Sequence, residues 1–113
     1  TDERLSVDYV FDSRGRIKSK TERNYGSRRD FQYVYKGEDF LPYQLSTSYG
    51  GEWGSTVITE TYQYSEIDKQ GNWTKCTVKI KTVTEEYDEN TGKSTQVSNK
   101  TDTQQWIRTI TYY

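Results

Sequence analysis

Histidine, alanine and methionine are absent from this chain, and cysteine and proline occur once each, at Cys76 and Pro42. Without His there is no imidazole for acid–base or nucleophilic work, and most zinc sites lose their usual ligand. A single Cys excludes an internal disulfide. Leucine is confined to Leu5, Leu41 and Leu45, so the best helix formers are nearly missing. No run is long and apolar enough to read as a membrane span, and no signal peptide is visible. The net charge is -1, from 16 basic and 17 acidic residues, which leaves no broad electrostatic pull toward nucleic acid or an anionic membrane.

What is present favours strands. Only 30% of the 113 residues are hydrophobic, and half of those are aromatic, with 11 Tyr and 3 Trp. A core built from so little must be thin and made of rings, with Tyr hydroxyls reaching its rim. Thr, Val, Ile and Tyr suit a pleated sheet. The length predicts one domain over 1–113. The Gly-rich stretch 49–54 is its loosest segment, where half-units 1–50 and 55–113 would meet.

One turn module occurs twice, as Phe11-Asp12-Ser13-Arg14-Gly15-Arg16-Ile17 and as Ile67-Asp68-Lys69-Gln70-Gly71-Asn72-Trp73. The Asp bonds its own backbone and the Gly takes a positive φ. Tyr87-Asp88-Glu89-Asn90-Thr91-Gly92 is a variant with one residue inserted. Between these turns the chain alternates. Leu5, Val7, Tyr9 and Phe11 share a face, as do Phe31, Tyr33 and Tyr35, then Leu41, Tyr43, Leu45, Thr47 and Tyr49, then Ile58, Tyr62 and Tyr64. Cys76, Val78 and Ile80 line one face of a further strand, with Lys75, Lys79 and Lys81 on the other. Cys76 reads as a small buried hydrophobe. Strict parity puts Trp73 with the lysines unless a bulge shifts it inward.

Residues 82–103 are polar on both faces and read as an arm projecting beyond the core, followed by a last strand over 105–113. Pro42 and the lysines of the sixth strand look like edge protection. The fold predicted is all-β, an antiparallel meander of about eight strands forming a curved sheet, a small sandwich or a partial barrel.

The turn module resembles the YD-repeat (RHS-like) pattern, in which an aromatic residue, an Asp, two variable residues and Gly-Arg or Gly-Asn precede a large apolar residue. Residues 11–17 match it nearly whole; 68–75 match from the Asp onward, with Ile67 in place of the aromatic. The resemblance implies kinship with small, secreted, uncharacterised bacterial β-proteins, export to the periplasm or cell surface, and a lipoprotein form of the full-length protein. A chain beginning at Thr1 reads as a processed or trimmed fragment. The resemblance implies no catalytic residue, and no metal or cofactor is expected.

The function expected is that of a non-catalytic β module, a scaffold or a binder of an extracellular protein or glycan. Trp53, in a polar Gly-rich loop, together with Tyr49, Trp73 and Trp106, are the candidate ligand-binding residues. Flat rings on a β surface stack on sugars, which makes a carbohydrate-binding module the alternative. Carboxylate chemistry through Glu60 and Glu66 is the remaining enzymatic route. Arg28 and Arg29 read as solvated charges beside core rings, and 88–92 as a plain turn rather than a calcium loop.

Overall fold

A computed structural model describes residues 5–24, 27–51 and 54–113. Among these described residues seven strands form one antiparallel meander in sequence order: β1 Ser6–Phe11, β2 Ile17–Asn24, β3 Ser27–Val34, β4 Gln44–Gly51, β5 Gly54–Ile67, β6 Trp73–Asp88 and β7 Lys93–Ile107. The sheet does not close into a barrel. Its radius of gyration is 17.4 Å, against about 13 Å for a compact chain of this length.

The three Asp turns fold as their sequences dictate. The Asp12 carboxylate accepts the backbone N–H groups of Arg14 and Arg16, at 2.9 and 3.0 Å, and Gly15 donates back to the Asp12 carbonyl. Asp68 repeats this with Gln70, Asn72 and Gly71, at 3.0, 2.9 and 3.1 Å. Both are type I turns closed by a left-handed Gly, with φ of 78° and 86°. The inserted residue of the third turn lengthens its closing bond to Gly92 N–H on the Asp88 carbonyl, while Asn90 N–H still reaches the Asp88 side chain.

Cross-strand register carries the stripes onto one face. Tyr9 lies opposite Lys20, Lys20 opposite Phe31, Tyr33 opposite Leu45, Leu45 opposite Glu60, Tyr62 opposite Val78 and Cys76 opposite Trp106. Only Cys76 and Val78 are fully buried among the described residues, at 1% and 0% exposure. They form the centre of a thin core roofed by half-buried rings. The reverse face is polar and closes on itself through pairs such as Thr21–Asp30, Gln44–Thr61 and Ser46–Thr59. The Thr21 hydroxyl and the Arg28 guanidinium hold the Asp30 carboxyl below the usual range.

Several expectations change. Seven strands replace about eight, because 93–107 is one strand and 108–113 is not a strand. The arm projects only at its tip, since β5 flanks β6 as far as the Gly54–Glu86 pair. β4 and β6 are interior strands, so Pro42 (which precedes β4) and the β6 lysines protect no edge; β1 and β7 are the edges. Across 49–54 the ladder continues through Gly50–Ser55 to Gly51–Gly54. Gly50 and Gly54 serve close approach. A Cβ on Gly50 would lie 2.6 Å from the Gly54 carbonyl oxygen, and one on Gly54 would lie 2.5 Å from the Glu85 carbonyl oxygen.

Candidate functional site

Antiparallel order sends four segments to the same end of the sheet: the 12–15 turn, the 35–43 loop, the 68–71 turn and the 108–113 tail. Side chains from the turn modules fasten the other two. Arg16 bonds the Asp12 carboxylate at 2.7 Å, reaches the carbonyls of Gly37 and Asp39 at 2.9 and 2.8 Å, and lies 4.4 Å from the Tyr35 ring centre. Burial raises the Asp12 pKa, yet the Arg16 side chain and the N–H groups outweigh it and keep the carboxyl below its ordinary range. Tyr64 donates to the Pro42 carbonyl at 2.5 Å, and Tyr35 to the Ile17 carbonyl at 2.8 Å. The 35–43 loop is thus pinned from β2 on one side and β5 on the other.

The tail is fastened in the same manner on the second module. Arg108 donates its backbone N–H to Thr74 and its Nε to the Trp73 carbonyl at 2.6 Å, and its guanidinium lies 3.9 Å from the indole centre. Tyr112 donates its hydroxyl to the Asp68 carboxylate, and Asn72 Nδ2 donates to that hydroxyl at 3.0 Å. The Tyr112 hydroxyl, with the Asn72 and Gln70 N–H groups, holds Asp68 well below the usual carboxylate range. A depressed acid stabilises the folded form above its unfolded value, about pH 4, and loses that contribution as pH falls through its folded value. Tyr112→Phe is expected to raise the Asp68 titration midpoint measured by carboxyl-detected NMR. An unmoved midpoint would show that the tail is not held there.

Above Cys76 and Val78 runs a row of four rings. Trp73 lies 6.5 Å from Tyr64, Tyr64 stacks on Tyr62 at 6.2 Å, and Tyr62 meets Trp106 at 6.1 Å. The register shifts on both strands beside Trp73, and the extra residue, Thr74, turns the indole off strict parity toward Tyr64. Trp106 Nε1 donates to Gln104 and Tyr62 donates to Glu60, each at 3.0 Å. Burial, the Glu60 bond and nearby charge push the Tyr62 phenol far up; burial pushes Tyr64 up to about 12. With every hydroxyl in the row directed to a protein acceptor, the rings present their faces.

Beside this row lies a groove of about 640 Å³, floored by Tyr62 and Tyr64 and walled by Phe40, Leu41 and Tyr43. Lys36, Asp39 and Asn72 supply its polar rim, and the Lys36 ammonium sits 4.1 Å from the Tyr43 ring centre. Phe40 is 71% exposed. Sequence reading missed this site because Phe40 falls off the strand stripes and Leu41 reads as part of the fourth strand, which begins only at Gln44. Their signal was an apolar pair before Pro42, in a loop too long for a plain hairpin.

Of the residues expected to bind a ligand, Trp73 and Trp106 come together through Tyr64 and Tyr62, as half-buried parts of the core roof. Tyr49 lies at the opposite end of the sheet, on β4 under Arg29, whose guanidinium is 5.1 Å from its ring. The four rings therefore do not form one site, and Trp53 lies outside the described residues. Glu60 accepts from Tyr62, whereas Glu66 faces Lys75 at 3.5 Å. Arg28 pairs with Asp30 at 3.0 Å. Among the described residues no group of three or more His, Cys, Asp or Glu could hold a metal ion, and no helix is long and apolar enough to cross a membrane. Comparison of the chain with family models, curated proteins and solved structures finds no match.

Proposed function

We propose that this chain is a non-catalytic, exported bacterial β module that holds an extracellular partner against the ringed face of its sheet, at the groove beside the 35–43 loop. The observation that carries this reading is Phe40, an exposed ring on a loop pinned at both sides over a floor of two tyrosine faces. A large apolar side chain fixed in that position gains by being covered. Concave, ring-lined sites with a few polar groups are the common form of ligand sites. The absence of His and the separate engagement of Glu60 and Glu66 support a binding role over a glycosidase. Export and YD-repeat kinship rest on the turn modules, whose Asp and Gly geometry is shared at Asp12 and Asp68.

The rim favours a glycan among extracellular partners. Lys36, Asp39 and Asn72 provide donors and acceptors around ring faces, the combination that a pyranose needs for stacking and for its hydroxyls. A glycan array followed by titration with the captured sugar tests this. The double variant Phe40→Ala with Tyr43→Ala is expected to keep the fold and weaken binding by about tenfold or more, the loss of one or two stacked rings. A partner bound with unchanged affinity by that variant would remove the groove as its site; an array without hits would return the reading to a protein partner.

A further inference from the structure

The outer edge of β7 has no neighbour among the described residues, and its stretch 98–107 carries no bulge to turn it away from a second strand. It contains no proline. Its register on β6 is unbroken from the Lys75–Ile107 pair to Thr84–Ser98, and shifts only beyond, at Val97. The straight part, 98–104, reads Ser-Asn-Lys-Thr-Asp-Thr-Gln. Because Arg108 N–H bonds Thr74, alternation turns the N–H groups of Gln104, Asp102 and Lys100 toward β6. Asn99, Thr101 and Thr103 therefore direct their N–H and C=O groups outward, and all three are exposed.

This stretch is complementary to itself about Thr101. Two copies laid antiparallel with Thr101 opposite Thr101 place Asn99 opposite Thr103, and Lys100 of each opposite Asp102 of the other. The outward residues then exchange about six N–H···O bonds, two at each of three pairs. The Lys100–Asp102 pairs fall at the non-hydrogen-bonded positions, where side chains approach most closely. A slip of two residues in either direction, the smallest that keeps outward groups opposite one another, lays Lys100 on Lys100 or Asp102 on Asp102 and loses both pairs. We propose that two copies of this chain associate through β7, edge to edge, in this register. The association joins two seven-stranded sheets into one and leaves the groove by the 35–43 loop clear of the contact.

Sedimentation equilibrium of the full chain across the micromolar range tests it, with three variants. The wild type is expected to show a monomer–dimer equilibrium. Thr101→Pro removes an outward N–H without touching a bond to β6, and is expected to give monomer alone. Lys100→Asp sets like charges opposite one another twice and is expected to weaken the dimer roughly tenfold. Adding Asp102→Lys to it restores opposite charges and is expected to recover the wild-type constant. The charge variants keep the test decisive if the proline disturbs folding. A wild type that stays monomeric, assembles beyond a dimer, or dimerises with no response to Lys100→Asp overturns the proposal.

Discussion

Gly54→Ala is expected to destabilise the fold by about 2–3 kcal/mol, a shift of about 10 °C or more in Tm. The added Cβ would lie 2.5 Å from the Glu85 carbonyl oxygen, and the obstacle is backbone, which no rotamer change can move aside. Relief requires β5 to separate from β6 at the Ser55–Glu85 and Gly54–Glu86 pairs, next to the register shift of β6 on β7. Gly51→Ala is the control. Gly51 pairs with Gly54, yet nothing lies within 4 Å of its Cβ direction. That variant is expected to stay within about 0.5 kcal/mol of wild type. Equal losses in the two variants, measured by denaturant unfolding, would show that flexibility rather than close approach selects glycine here.

Tyr62→Ala is expected to cost about 2–3 kcal/mol, because Tyr62 links Tyr64 to Trp106 and covers Val78. Tyr62→Phe keeps the ring and loses one half-exposed hydrogen bond to Glu60, a cost of about 1 kcal/mol or less. The same cluster sets an alkaline limit. A phenol whose folded pKa is raised stabilises the fold fully below its unfolded value, near pH 10, and loses that contribution as pH rises through the folded value. Tyr64, pushed up to about 12 by burial and nearby groups, places that loss between about pH 10 and pH 12. Spectroscopic titration is expected to show an exposed tyrosine class ionising first and a second class ionising together with unfolding. One titration step for all tyrosines, with Tyr62→Ala as stable as Tyr62→Phe, would remove the ring row as the source of stability.

The parts of the fold that sequence revealed are those in which local chemistry and long-range pairing agree. Asp12, Asp68 and Asp88 satisfy their turns with their own carboxylates, so a few adjacent residues decide each corner. Alternation then assigns the faces, and even the ambiguity at Trp73 resolves through the bulge that parity required. Residues 105–113 alternate as a strand should, but β7 stops at Ile107. Beyond the Lys75–Ile107 pair the Arg108 N–H makes one more backbone bond, to Thr74, and the chain opposite then enters the Asp68 turn, whose N–H groups already bond the Asp68 carboxylate, so the Arg108 guanidinium and Tyr112 fasten the tail by side chains. No local signal carries that limit.

The binding residues were harder to read for a related reason. Tyr49 shares the ringed face with Trp73 and Trp106, but register sets it at the far end, opposite Thr56 and Arg29. Phe40 and Leu41 gain their position from Arg16 and Tyr64, which are distant in sequence and join the loop only once four strands have paired. The true edges were equally hidden. Lysines on β6 resemble edge charges until β7 is counted, and β7 itself carries few.

The account depends on the register that gathers the rings over Cys76 and Val78, and inter-strand NOEs read that register directly. Tyr62–Val78 and Tyr64–Cys76 are non-hydrogen-bonded pairs, whose Hα atoms approach most closely. Strong Hα–Hα cross-peaks are predicted for both, and for Thr77–Gln105 on the next strand. Cross-peaks joining Tyr62 to Thr77 or Lys79 instead would place the tyrosines on the lysine face and contradict it.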